Sequence, residues 1–362
     1  MRILLYLILI LFNIAAVSAV SAQTKATKAT YVYTDAQTLT KNGQWPLNTS
    51  DYQRVDTVGR MSLPATVQVL AHWSSGINIM FQTNSKSIAV KWKIAKYRTI
   101  PTMTAVSSCG LDLYGWNGTY WQYVGIGIPR SEANTDVIIK AMAGKMTHYR
   151  LYLPIGSEPT QVEIGIDPLA SIKPADEHFI PKKRIVIYGS SITQGTAASR
   201  PGMTYTSILS RKLEVETINL GFNGSGKIEI ELAEAVARIP ADVYVLDCVP
   251  NPSPQEIKER TYPFVKKLRR LRPNTPIVMM ESVTRERAFW DLESQAKVKQ
   301  QNAEFKTAYN RLLKDGEKQL YYLPTETLNG NDHESSVDGT HLTDLGFMRL
   351  AETLARTLKT IL

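Results

Sequence analysis

From Arg184 to the C-terminus, short runs of β-branched and apolar residues at 185–188, 217–220, 243–246, 277–280 and 320–323 alternate with segments of helical period. This alternation constrains the fold more than any other feature of the chain. Continuous apolar strands separated by helices predict a parallel sheet covered on both faces. Local signals agree. Ser253-Pro254-Gln255-Glu256 combines an N-cap, a proline at the first helical position and a glutamate at the third. The last segment repeats Phe347, Ala351, Leu354, Leu358 and Ile361 along one helical face. These helices read as packing elements.

Before residues 174–183 the pattern changes. Short alternating segments at 77–82, 87–92, 119–124, 148–153 and 161–165 predict an antiparallel β-sandwich. The chain is also longer than one core usually serves, so we expect a β-sandwich domain over 23–178 and an α/β domain over 179–362. The aromatic residues Trp73, Trp92, Trp116, Tyr120 and Trp121 fall in the first of these. Alternation assigns most of them to the sandwich core, although such rings also stack on sugars.

Residues 1–22 read as a secretory signal peptide. Arg2 is followed by an apolar run over 3–12 and then by small residues ending in Val20-Ser21-Ala22, which predicts cleavage after Ala22, with Ala19 as second choice. The run is short for a membrane span, so the mature protein is expected in the periplasm or outside the cell, without a stable membrane span. Cys109 and Cys248 fall in different predicted domains and read as buried free thiols. The net charge of +9 falls to +8 when the leader and its single arginine are removed. Much of it sits along one helical segment from Lys258 to Arg272, as a solvated face, and nucleic acid is an unexpected partner for an exported chain. The oligomeric state is open.

The strand ends carry the chemistry. The run 185–188 leads into Gly189-Ser190-Ser191, and a serine at the C-terminal end of a parallel strand stands where α/β folds bind ligands. A serine hydroxyl needs an imidazole to take its proton and a carboxylate to orient the imidazole, and Asp338-Gly339-Thr340-His341 supplies both. Gly224 and Asn251 each follow a predicted strand, and a backbone N–H and a side-chain amide there can donate to a developing oxyanion. Each of these features alone is nonspecific.

Taken in order, Ser191, Gly224, Asn251 and Asp338/His341 resemble the four sequence blocks of the SGNH hydrolases, the GDSL esterase/lipase superfamily. The resemblance implies a flavodoxin-like three-layer α/β/α catalytic domain, with Ser191 as nucleophile, His341 as base and Asp338 as its orienter. The Ser191 and Gly224 N–H groups and the Asn251 amide would form the oxyanion hole. Two departures are visible. Ser190 replaces the usual aspartate before the nucleophile, and Val249-Pro250-Asn251-Pro252 keeps the asparagine of the third block while losing its glycine and aspartate. Gly110-Leu111-Asp112-Leu113-Tyr114 resembles the Gly-x-Asp-Leu-Tyr signature of the β-rich, jelly-roll-like domain that precedes one SGNH subgroup. Asp112 itself fits a strand with one polar outward face.

Competing chemistries lack their signatures. The nucleophile elbow of α/β-hydrolases needs a glycine two residues after the serine, and here it comes at 195. His72, His148, His178, His333 and His341 have no metal-binding spacing, and no nucleotide-binding glycine motif follows a strand, so no cofactor is expected. The expectation is an exported serine esterase acting on acyl, preferably acetyl, esters of an oligosaccharide, polysaccharide or small molecule. A lipase or thioesterase of small acyl or lipid esters is the alternative within enzymes. A noncatalytic carbohydrate-binding protein with a remnant SGNH domain is the alternative outside them.

Overall fold

Among the described residues, ten strands precede residue 175, and all of their pairings are antiparallel. In the computed structural model, which describes residues 30–46, 51–55 and 62–362, the chain begins with β1 (Val32–Asp35) and β2 (Thr40–Asn42), followed by helix α1 (Ala65–Ala71). Next come β3 (Asn78–Thr83), β4 (Ile88–Ile94), α2 (Ala105–Cys109), β5 (Leu111–Trp116), β6 (Trp121–Gly127) and β7 (Ala133–Ile139). β8 (Thr147–Tyr152), β9 (Pro159–Ile166) and β10 (Ile172–Pro174) complete two sheets, ordered β1-β9-β4-β7 and β10-β3-β8-β5-β6 with β2 paired to β3. The expected signal peptide at 1–22 lies outside the described residues.

The facing sides of these sheets enclose a core that includes Ile79, Phe81, Val90, Trp92, Leu113 and Ile164. The Trp92 indole N–H donates to the Cys109 carbonyl at 2.9 Å, which lets a polar ring edge be buried without an unpaired donor. Of the aromatic residues expected in the core, Trp92 and Trp121 are buried, Trp73 and Trp116 are half-buried, and Tyr120 is exposed. Strand β3 is buried throughout and β5 nearly so, which differs from the one-sided alternation read in the sequence. The reason is a second contact, because the outer face of this sheet packs against the α/β part of the chain.

That part is built on β11 (Arg184–Gly189), the single-turn helix α3 (Ser191–Gln194), α4 (Tyr205–Leu213), β12 (Glu216–Gly221), α5 (Ile230–Arg238) and β13 (Val243–Asp247). It continues through α6 (Pro254–Leu271), β14 (Ile277–Met280), α7 (Leu292–Lys314), β15 (Leu320–Leu323) and α8 (Asp344–Lys359). The five strands form a parallel sheet in the order β12-β11-β13-β14-β15, the flavodoxin-like order. Apolar cores lie on both faces, so the strands are continuous hydrophobic runs. Helix α6 starts with the capping box anticipated at Ser253 and Glu256, and α8 buries Phe347, Ala351, Leu354 and Leu358. Among the described residues no helix is long and apolar enough to cross a membrane. Cys109 and Cys248 are both buried and free.

The sheets divide between β10 and β11, but one core draws on both sides of that division. Val55, Leu63, Val67, Leu70 and Ala71 belong to the same cluster as Val186, Leu220, Phe222 and Leu232 of the α/β part. Arg54 is fully buried there, and among the described residues its hydrogen bonds are to backbone carbonyls and the Asn219 side chain. Its guanidinium donates to the carbonyls of Trp73 (2.8 Å), Leu70 (2.7 Å), Asn219 (3.2 Å) and Gly221 (2.5 Å), and lies over the Phe222 ring. Asp112 makes a second clasp. It points outward from the sandwich, as alternation requires, yet it is fully buried because the surface opposite is protein. Its Oδ2 accepts from Arg200 Nη1 at 2.7 Å and from the Gly202 N–H at 2.8 Å, while the same Arg200 nitrogen donates to Tyr114 Oη.

Candidate active site

In an open parallel sheet the crevice forms at the carboxyl ends of the strands where the order reverses, here between β11 and its neighbours β12 and β13. The residues singled out at the ends of these three strands are Ser191, Gly224 and Asn251.

β11 ends at Gly189, where a Cβ would overlap Thr193 Oγ1 and the Asp247 carbonyl. The glycine is therefore needed for close approach of the turn to β13. Ser190 caps α3, accepting from the Ile192 N–H at 3.2 Å. A serine thus performs the local task left by the missing aspartate. Ser191 is the first helical residue, so its N–H is one of the donors an α-helix does not satisfy internally.

The imidazole comes from the other side. An isolated bridge between Ser336 and Leu342 closes the loop before α8, and the Val337 N–H donates to the His341 carbonyl at 2.8 Å. Within that loop Asp338 Oδ1 accepts from the His341 N–H at 2.8 Å and the Thr340 N–H at 3.0 Å. His341 Nδ1 lies 2.7 Å from Asp338 Oδ2, and its Nε2 lies 2.9 Å from Ser191 Oγ. Burial disfavours the Asp338 charge, but the His341 ring and the two backbone donors outweigh it and hold this carboxyl below its ordinary range. The three residues form a continuous relay from carboxylate to hydroxyl.

Gly224 has φ +66° in a loop facing open space, a backbone conformation natural to glycine. The loop is braced at several points. The Asn223 N–H donates to Gln194 Oε1 at 2.9 Å, and Ser225 Oγ donates to Thr66 Oγ1 at 3.0 Å. The Asn251 amide donates to the Phe222 carbonyl at 3.2 Å and to the Ser225 carbonyl. Asn251 therefore stands beside the Gly224 loop with its amide directed at backbone carbonyls, and donation to a substrate oxygen requires releasing one of them. Its own turn is held by Arg285, whose Nη2 donates to the Pro250 carbonyl at 2.8 Å. Burial lowers the Arg285 guanidinium to about 10.

Beneath the nucleophile turn lies a carboxyl to which the sequence reading gave no role. Asp247, fully buried at the end of β13, accepts at Oδ2 from Thr193 Oγ1 (2.7 Å) and Tyr205 Oη (2.8 Å). Burial raises it to about 7, against the two hydrogen bonds. An acid at the end of an otherwise apolar strand was the available signal. Arg54 and Gln194, which support the Gly224 loop, have no comparable signal, because neither belongs to a recognisable pattern.

Comparison with known proteins identifies the family and the fold. Residues 182–359 match the GDSL-like lipase/acylhydrolase family, and residues 31–172 match the N-terminal GxDLY domain of SGNH-hydrolase-type esterases. The structure is similar to a putative GDSL-like lipase from Bacteroides ovatus, at 39% identity over 92% of this chain and 98% of that one, with a TM-score of 0.89. A salicylyl-acyltransferase from a tetracycline biosynthetic pathway aligns at 18% identity over 91% of this chain and 97% of its own, with a TM-score of 0.71. A family two carbohydrate esterase from Clostridium thermocellum, in complex with cellohexaose, aligns at 12% identity over 79% of this chain and 92% of its own, with a TM-score of 0.58. At these identities the last two show a shared fold. No curated protein sequence matches the chain at a significant level.

Proposed function

The chain belongs to the GDSL-like lipase/acylhydrolase family and is an ester-hydrolysing enzyme, and from that premise we propose that it is an exported serine esterase releasing acetyl groups from carbohydrates. One observation carries the proposed chemistry, the unbroken relay in which Ser191 Oγ meets His341 Nε2 at 2.9 Å and His341 Nδ1 meets Asp338 Oδ2 at 2.7 Å.

In the proposed cycle Ser191 Oγ attacks the ester carbonyl while His341 Nε2 takes its proton. Asp338 fixes the ring so that Nε2 faces the serine, and its lowered carboxyl remains ionised to stabilise the imidazolium. Negative charge on the carbonyl oxygen is met by the Ser191 and Gly224 N–H groups, with Asn251 joining by releasing a loop carbonyl. His341 then gives its proton to the departing alkoxide, and a water activated by the same nitrogen cleaves the acyl-enzyme. Export rests on the leader-like composition of residues 1–22. The sugar acetate rests on analogy, because the pairing of a β-sandwich with an SGNH sheet is also found in carbohydrate esterases.

The test is acetate release from acetylated oligosaccharides, with short and long p-nitrophenyl esters alongside, by the mature protein and its Ser191→Ala variant. The wild type should release acetate and react with a fluorophosphonate, and the variant should do neither. Fluorophosphonate labelling that survives the substitution would remove Ser191 as nucleophile. A preference for long acyl chains would replace the sugar acetate with a lipid ester.

A further inference from the structure

A cavity of about 770 Å³ opens next to the Asp338-Gly339 segment, between the turn at 286–290 and His333. The turn is tied to the histidine loop directly, since the Arg287 N–H donates to the Gly339 carbonyl at 3.2 Å. Trp290 is 92% exposed and Phe289 is 52% exposed. Large aromatic faces left in water are unfavourable for folding and are typical of recognition surfaces. Phe289 is held edge-on to His333, with ring centroids 4.6 Å apart, and His333 is fixed in turn by Glu286, Nδ1 to Oε2 at 2.8 Å. Arg287 and Asp291 form a second pair across the rim at 3.6 Å.

We propose that this cavity is a leaving-group subsite, in which a sugar ring of the ester's alcohol part stacks on Trp290 while its hydroxyls bond to the polar side chains around it. The inference deepens the esterase reading and rests on it. Its position follows from the chemistry: His341 protonates the departing alkoxide, so the alcohol must lie on the histidine side of Ser191, and Asp338 and Gly339 of that loop line the cavity. The lining selects the ligand class. Glu286, Arg287, Asp291 and His333 offer donors and acceptors that suit neutral hydroxyls, and the carboxylates Glu286, Asp291 and Asp338 outnumber the Arg287 guanidinium, which leaves an anion no net attraction. An acyl chain would need an enclosed apolar channel, whereas here the aromatic faces border charged groups and solvent.

The experiment measures kcat/KM of wild type, Trp290→Ala and Trp290→Phe on acetylated xylo-, manno- and gluco-oligosaccharides, on p-nitrophenyl acetate and on p-nitrophenyl palmitate. For the best sugar substrate, Trp290→Ala should lower the ratio of its kcat/KM to that of p-nitrophenyl acetate by about tenfold, mainly through KM, and Trp290→Phe should restore most of it. An unchanged ratio, or an equal fall on both substrates, overturns the subsite. A wild type that hydrolyses p-nitrophenyl acetate but prefers none of the sugar acetates also overturns it, and leaves the esterase reading standing. A selective loss on the palmitate assigns the surface to an acyl chain and likewise overturns it. No hydrolysis of any substrate by the folded wild type takes down the esterase reading, and the subsite with it.

Discussion

Single residues beneath the site set its electrostatics, and Asp247 is the clearest case. Its folded carboxyl titrates at about 7 against an ordinary 3.8, because burial outweighs the donors Thr193 and Tyr205. Between those values the folded chain holds a proton that the unfolded chain has released, so this group makes stability fall as pH rises from about 4 to 7 and constant beyond. Asp247→Asn keeps an acceptor for both hydroxyls and removes the titration. The variant should gain on the wild type between pH 5 and pH 8 in urea unfolding midpoints. Parallel midpoints across that range would mean that Asp247 titrates as an ordinary surface acid. Asp338 has the opposite sign, since hydrogen bonds overcome burial and lower its carboxyl, so its share of stability is lost only under strong acid. The buried Asp247 and the more exposed Asp338 are thus driven apart by the balance of burial against hydrogen bonds, and only the one at the histidine belongs to the relay.

At the scale of elements, the legibility of the sequence followed the strength of local signals. The five parallel strands, the capping box of α6 and the buried stripe of α8 could be read because each has a fixed period or cap chemistry. The residues that approach one another around Ser191 could also be read, because strand ends in one parallel sheet converge on one edge. What could not be read was which polar groups meet across elements. Asp112 is an example, a carboxylate on an alternating strand whose partner, the 3₁₀ turn Pro201–Met203 with Arg200 before it, is 88 residues away. Asp112→Ala would leave the Arg200 guanidinium and the Gly202 N–H without their acceptor inside the contact between β5 and that turn. Removing one partner of such a buried pair should cost about 3 kcal/mol, measured as a fall in unfolding free energy. A loss well under about 1 kcal/mol would mean that water or Tyr114 replaces the carboxylate.

Across the whole molecule, the division seen in the sheets conceals a shared core. Val55, Leu63, Val67, Leu70 and Ala71 precede the sandwich strands β3 to β10 in the chain, yet their side chains join the core on one face of the parallel sheet. Arg54 supplies the backbone of β12 with donors exactly where that strand leads into the Gly224 loop, and Ser75 Oγ donates to the Gln194 carbonyl at 2.5 Å behind the nucleophile turn. Periodicity could not reveal this exchange, because the segment has no repeat and Arg54 is buried against backbone carbonyls that no sequence pattern marks. The consequence can be tested on fragments. Residues 179–362 alone keep Ser191, Asp338 and His341 but lose Val55, Leu63, Val67 and Leu70 from the core and expose the apolar surface those side chains covered. This fragment should bind a hydrophobic dye and lack a cooperative thermal transition, and it should regain both order and hydrolysis of p-nitrophenyl acetate when co-expressed with residues 23–178. A fragment that unfolds cooperatively on its own and hydrolyses the ester would show that the sandwich half is an appendage. The shared core requires instead that the two halves fold as one, with the nucleophile turn held partly from outside its own sheet.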